Sequence, residues 1–321
     1  MASRKADHDF KCAWPGVSQV SRQPPTAVNS MPSRITRGFA DTTAGQVHYR
    51  TARPRGESSS RPLVMFHGSP SSSHSLSRQA GNLAEGRTVI VFDTMGQGDS
   101  CPPPSADVTF EDYARIYGEA LTSLGREFDR ADVFGTHTGA RIAAEFAIAF
   151  PERAGKVILD GMRRGPNEFW HEYAASLDLS QYIDADGTQY QKAWSKLRDS
   201  FFFFPPYRRD AAHFRGNPLP DAQELHVYAL EVFKGISWAH IPYRLAVLYP
   251  SELRLPKITR PTLATCAPTD GPFGDIDYVA KLIPGAIARP HPHQAKMDAA
   301  SDAEIAALAK MLAEWLDEPL A

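Results

Sequence analysis

The sequence predicts an α/β protein: a mostly parallel, doubly wound sheet carrying a helical insertion. Three observations lead there. Short, continuous apolar runs alternate with helix-period stretches from residue 35 to about 160, and again after 250. Glycine-marked turns follow the runs at their carboxyl ends, where open parallel sheets bind ligands. Between them, at 162–250, the alternation stops and aromatics accumulate, among them Trp170, Trp194, Phe201 to Phe204 and Trp238.

Taken in order, 35–40 and 46–51 read as two early strands around the turn Thr43-Ala44-Gly45. Residues 62–66 and 87–92 are runs of the kind buried on both faces of a sheet. The first ends in His67-Gly68-Ser69-Pro70, the second in Asp93-Thr94-Met95-Gly96-Gln97-Gly98. Helix is expected at 109–124, where Phe110, Tyr113, Tyr117, Leu121 and Leu124 recur at steps of three and four. A strand at 131–134 runs straight into Gly135, and 138–149 reads as a buried helix of small and apolar residues. Further strands are expected at 156–160, 261–266 and 286–289, with a helix from Asp275. The last helix opens with Ser301-Asp302-Ala303-Glu304, the pattern of a capping box. The division expected is a disordered tail at 1–34, an α/β core at 35–161 and 251–321, and a helical cap at 162–250. Foldable sequence follows Met31 at once, which makes Met31 a candidate start.

The chain has 321 residues, 42% of them hydrophobic, enough for a large core. A formal net charge of −2 points to neither nucleic acid nor an anionic membrane as partner. Cys12, Cys101 and Cys266 are too few and too far apart for a disulfide framework or a metal site, and a reducing cytoplasm is the expected setting. No apolar run approaches the ~20 residues of a membrane helix.

The strongest motif is strand, Gly135-Thr136-His137-Thr138-Gly139, helix. So sharp a corner needs glycine two before and two after the central residue, because side chains there would strike the neighbouring strand and helix. The central side chain then stands above the sheet at the amino end of a helix.

His67-Gly68 after the third strand, Asp93-x-x-Gly96-x-Gly98-x-Ser100 after the fourth, the elbow after the fifth, Asp270 after a late strand, and a histidine segment before the last helix stand in one order. Over 35–318 this resembles the α/β-hydrolase superfamily. The elbow Gly-x-His-Thr-Gly-Ala is also similar to a subgroup of bacterial members with histidine at that position. The resemblance implies roles. Backbone N–H groups of Ser69, beside Gly68, and of Thr138 would form an oxyanion hole. Asp270 matches the family acid, with Asp160, Asp275 and Asp277 as rivals. The family histidine is His291 or His293 in Arg289-Pro290-His291-Pro292-His293, with His293 favoured.

The departure is His137 itself, where the family places a nucleophilic serine, cysteine or aspartate. Three readings stand: a general acid or base, for which imidazole is suited near neutral pH; a transient nucleophile; or a dead site that only binds. The first ranks highest, because acid, second histidine and oxyanion loop are all present. Thr136 and Thr138 are expected to satisfy local backbone groups with their hydroxyls. Asp93 should shape a tight loop, His67 should make a structural hydrogen bond, and Phe201 to Phe204 should be mostly cap core. Arg163 and Arg164, just past the sixth strand, are candidates for binding a substrate carboxylate, with a solvated surface pair the favoured reading.

The expectation is a cofactor-free, metal-free enzyme for a small, partly apolar carbonyl compound: an ester, lactone or β-keto compound. Catalysis would rest on His137, Asp270 and His293 or His291. The other-class alternative is an inactive relative that binds a small molecule. A homodimer is left open.

Overall fold

The computed structural model describes residues 35–215, 217–292 and 300–319; the expected tail at 1–34 and His293 lie outside them. Two antiparallel strands open the chain, β1 (Thr36–Thr42) and β2 (Gly45–Ala52), joined by the expected tight turn. Then follow β3 (Leu63–Phe66), α1 (Ser77–Leu83), β4 (Val89–Phe92), α2 (Phe110–Leu124), β5 (Ala131–Thr136), α3 (Thr138–Ala149) and β6 (Ala154–Asp160). The next segment holds helices and no strand of the sheet: α4 (Glu168–Ala175), α5 (Thr188–Phe202), α6 (Ala222–Lys234), α7 (His240–Val247) and the short α8 (Ser251–Arg254). The sheet resumes with β7 (Thr262–Thr265), α9 (Ile276–Leu282), β8 (Ile287–Ala288) and α10 (Asp302–Asp317).

The sheet has eight strands in the order β1-β2-β4-β3-β5-β6-β7-β8. Every pair from β4 to β8 is parallel, and β1 and β2 are the antiparallel edge. Along β3, Val64 and Phe66 pack into a core with α2 and α3, while Leu63 and Met65 pack into a second core with α1 and α10. That period of two explains why the strands read as unbroken apolar runs: both faces are covered. β8 is shorter than expected, two residues paired to β7 alone at the sheet edge.

Helix starts follow the local chemistry. At both Thr109 and Ser301 the cap hydroxyl accepts from the backbone N–H three residues on, and that residue's carboxylate accepts from the cap's own N–H. No helix among the described residues is long and apolar enough to cross a membrane.

Two features position the site. The strand order reverses at β3, which has β4 on one side and β5 on the other. Phe66 pairs in register with Gly135, so the loops leaving β3 and β5 emerge side by side. The helical segment is also tied to the core beneath the site. Glu145 of α3, wholly buried, accepts from the Tyr249 hydroxyl at 2.6 Å and from the Arg254 guanidinium, which it holds strongly charged. Within 138–149, otherwise small and apolar, this buried carboxylate carries no mark in the sequence.

Candidate active site

A cavity of about 790 Å³ lies between the carboxyl ends of the strands and the helices inserted after β6. Gly68, Ser69, His137, Thr138, Asp160, Arg163, Asp270 and His291 all line it.

His137 sits at the corner between β5 and α3 with φ 49° and ψ −112°, the one positive φ outside glycine among the described residues. Such a conformation costs on the order of 1–3 kcal/mol and persists only when the surroundings over-determine it. They do. The His137 N–H donates to the Asp160 carbonyl at 2.8 Å, and the His137 carbonyl accepts from the Ala140 N–H at 3.0 Å and from Arg141 Nη1 at 2.8 Å. A Cβ on Gly135 would stand 2.0 Å from the Gly139 carbonyl oxygen, and one on Gly139 2.1 Å from that of Phe66. The two glycines are therefore required by close approach, for the reason the motif suggested.

The imidazole is held by two contacts. Its Nε2 lies 2.8 Å from Oδ2 of Asp270, whose side chain is only 9% exposed, and the other carboxylate oxygen accepts from the Gly271 N–H at 2.7 Å. The side of the ring that carries Nε2, Cε1 and Nδ1 lies against Gly161, where a Cβ would come within 3.0–3.3 Å of those three atoms. A carboxylate only accepts, so a hydrogen bond from the ring to Asp270 requires a proton on Nε2, and in the neutral imidazole that leaves the lone pair on Nδ1. Nδ1 bonds to no described residue, and the His137 side chain is 40% exposed, on the cavity.

A second acid–histidine pair lies beside it. His291 Nε2 is 2.9 Å from Oδ1 of Asp160, both side chains buried. The structure thus brings Asp270 to His137 and Asp160 to His291, whereas the sequence reading assigned Asp270 to orient one histidine and treated Asp160 as a rival for the same role.

A model of the alpha/beta hydrolase fold matches residues 61–285. The chain belongs to the α/β-hydrolase fold family. Among curated proteins it is similar to a 2-hydroxy-6-oxononadienedioate/2-hydroxy-6-oxononatrienedioate hydrolase of Burkholderia vietnamiensis, 29% identical over 50% of this chain and 55% of that protein. It is also similar to a proline iminopeptidase of Clostridium botulinum, 30% identical over 39% and 43%. The chain spans about half the length of these curated relatives. Among solved structures, the enol-lactonase of Burkholderia xenovorans LB400 superposes with a TM-score of 0.63 at 18% identity, covering 88% of this chain and all of the other, a likeness of fold.

Within this α/β-hydrolase fold, the loop after β3 is braced by neutral contacts. His67 is fully buried, and burial pushes its pKa down. Its Nε2 accepts from the Thr94 N–H at 2.9 Å, so its Nδ1 donates to the Gly68 carbonyl at 2.7 Å, the structural role expected of it. Gln97 Nε2 donates to the Ser69 hydroxyl at 2.7 Å, and its oxygen accepts from the Ser71 N–H. Among the described residues, neither the Ser69 N–H nor the Thr138 N–H has an acceptor. The hydroxyls of Thr136 and Thr138, expected to serve backbone groups, bond to no described residue; both threonines line the cavity.

Asp93 shapes its loop as expected. It accepts from His48 Nδ1 and from the N–H groups of Ser73 and Asp99, and these bonds hold its pKa far down despite burial. His48, Asp93 and Asp99 could converge on a cation, but His48 Nδ1 already meets Asp93, the Asp99 carboxylate pairs with Lys234, and none of the three lines the cavity.

The arginine pair divides. Arg164 is exposed, pairs with Asp275 at 2.6 Å, stacks on Tyr278, and does not line the cavity. Arg163 does line the cavity, so the reading as a solvated pair fails for it. The aromatic run divides as well: Phe201 and Phe204 line the cavity, Phe202 and Phe203 do not.

Sequence reasoning missed several residues. Gly161, at φ +63°, bears on the His137 ring, and its place directly after a strand was a usable signal. Arg141, buried at the first turn of α3, has its pKa pushed down to about 9 by burial. Lys196 lines the cavity with Nζ 3.4 Å from the carbonyls of Ser176 and Leu177, and burial pushes its pKa down to about 8. Nothing in one sequence marks these cations as buried.

Proposed function

We propose that this chain is a cofactor-free enzyme of the histidine-elbow kind, acting on a small, partly apolar carbonyl compound by acid–base chemistry at His137. The observation that carries the reading is the 2.8 Å contact between His137 Nε2 and Asp270 Oδ2 on a residue that lines the cavity; in the neutral imidazole so oriented, Nδ1 is the basic atom. In a retained triad, a histidine between serine and acid would do this work. Here the acid reaches the elbow residue directly, and the imidazole needs no partner to be a base.

In the hydrolytic step, Nδ1 takes a proton from water while the water oxygen attacks the substrate carbonyl. Asp270 stabilises the imidazolium that forms. The Ser69 and Thr138 N–H groups, the latter at the positive end of α3, bind the developing oxyanion. The imidazolium then returns the proton to the leaving oxygen. For a β-keto compound the same geometry protonates or deprotonates carbon while the hole binds an enolate. The curated relatives are named as hydrolases or a peptidase, which supports the hydrolytic form. The Asp160–His291 pair holds the floor of the cavity, its Asp160 carbonyl fixing the His137 backbone.

The test is a panel of p-nitrophenyl and naphthyl esters, lactones and β-keto acids with wild type, His137→Ala, His137→Ser and Asp270→Asn. Turnover should vanish in both His137 variants. Asp270→Asn exchanges a charged hydrogen bond for a neutral one, about 1.5–3 kcal/mol, and should lose roughly 10- to 150-fold in kcat/KM. An inert wild type that gains esterase activity as His137→Ser would instead show a binding protein disarmed at one residue.

A further inference from the structure

Two guanidinium groups share the cavity with His137 and Asp270: Arg163, just past β6, and Arg215, between α5 and α6. Arg163 Cζ lies 3.8 Å from the centroid of the Trp170 ring, and Arg215 Cζ lies 4.6 Å from that of Phe204. Their heads converge. Arg215 Nη2 lies 3.5 Å, and Arg163 Nη2 3.9 Å, from the point a Cβ on Gly271 would occupy. Gly271 is the residue whose N–H holds Asp270 in place against His137.

Neither guanidinium has a carboxylate within ion-pair reach or a side-chain hydrogen bond among the described residues. Several other arginines are paired. Arg164, Arg208, Arg209 and Arg254 each hold a carboxylate, and Arg141 donates to the carbonyls of His137 and Gly161. Stacking on an aromatic face stabilises a cation but leaves the in-plane N–H donors unsatisfied. Arg163 is sheltered enough that burial pushes its pKa down. Two such forks, side by side in a roofed cavity, match one planar anion with two oxygens.

We propose that Arg163 and Arg215 form a carboxylate subsite, so that the substrate is a carbonyl compound bearing a carboxylate a short carbon chain away from the reacting carbonyl. This rests on the reading of His137 as the acid–base group; the subsite itself does not. The tyrosine hydroxyls of Tyr173 and Tyr243, 3.0 Å apart and also on the cavity, offer a further donor on the same side. The carboxylate would anchor the substrate on the Asp270 flank of the imidazole, leaving the carbonyl to the Nδ1 side.

The experiment has a binding arm and a kinetic arm. Thermal shift and calorimetry are run with glutarate, and with glutaramide as the neutral match, on full-length wild type, Arg163→Met, Arg215→Met, Arg163→Lys and His137→Ala. Glutarate should stabilise wild type and His137→Ala, and glutaramide should not. Each Met variant should lose roughly 10-fold or more in glutarate affinity, with Arg163→Lys in between because it keeps charge but not the fork. Melting temperatures without ligand show whether each variant folds. In the kinetic arm, p-nitrophenyl hemiglutarate should exceed p-nitrophenyl valerate in kcat/KM, and the preference should collapse in the Met variants. Equal binding of glutarate and glutaramide, or folded Met variants that bind glutarate like wild type, overturns the subsite. Glutarate binding without any turnover leaves the subsite standing and sinks the catalytic reading; His137-dependent turnover blind to charge does the reverse.

Discussion

Gly161→Ala tests how the imidazole is held. Gly161 has φ +63°, where an L-residue is disfavoured by about 1–2 kcal/mol. Its added methyl would also meet Cε1, Nδ1 and Nε2 of His137 at 3.0, 3.1 and 3.3 Å, closer than side chains normally pack. The ring cannot retreat freely, because Nε2 already stands 2.8 Å from Asp270 Oδ2. Overpacking of this kind adds about 1–3 kcal/mol. Gly285→Ala is the control: φ there is +72°, and the methyl would meet nothing within 4 Å. At about 2–4 °C per kcal/mol for a domain of this size, Gly285→Ala should lower the melting temperature by roughly 2–8 °C. Gly161→Ala should lower it by roughly 4–20 °C, and only Gly161→Ala should impair turnover, through a shifted imidazole. Melting is followed by circular dichroism at one fixed scan rate, with kcat/KM measured on the best ester of the panel. If the two variants melt together and Gly161→Ala keeps full activity, His137 is not lodged against Gly161, and the geometry assigned to its nitrogens is wrong.

Two further outcomes concern the buried charges. Glu145→Ala removes the acceptor of Arg254 and Tyr249 beneath the inserted helices, and breaking a buried pair should destabilise by about 3–5 kcal/mol; a midpoint in urea unmoved from wild type would deny that anchor. Lys196→Met should raise the melting temperature at pH 7, because burial lowers the folded pKa to about 8 from 10.5. Below pH 8 both states hold the proton and the folded state bears the penalty in full. Between about 8 and 10.5 the unfolded chain binds more protons, so wild-type stability rises with pH and the variant's advantage should shrink. An advantage that stays constant from pH 7 to 10 would contradict the assignment.

What the sequence determined by itself was the scaffold and the corner. Period-two and period-3.6 patterns, with glycine at the carboxyl ends of strands, settle strand and helix locally, so β3, β5, α3 and the capped starts of α2 and α10 were legible residue by residue. Gly135 and Gly139 were legible for the same reason: a close approach leaves its mark as a missing side chain. Partnership was another matter. That Asp270 reaches His137 while Asp160 takes His291, that Arg163 turns to the cavity while its neighbour Arg164 turns to Asp275, and that Arg215 arrives beside Arg163 from a loop fifty-odd residues on, are decided only when distant segments pack. Charge and hydrogen bonding depend on distance and burial in three dimensions, and neither is encoded in the spacing of residues along the chain.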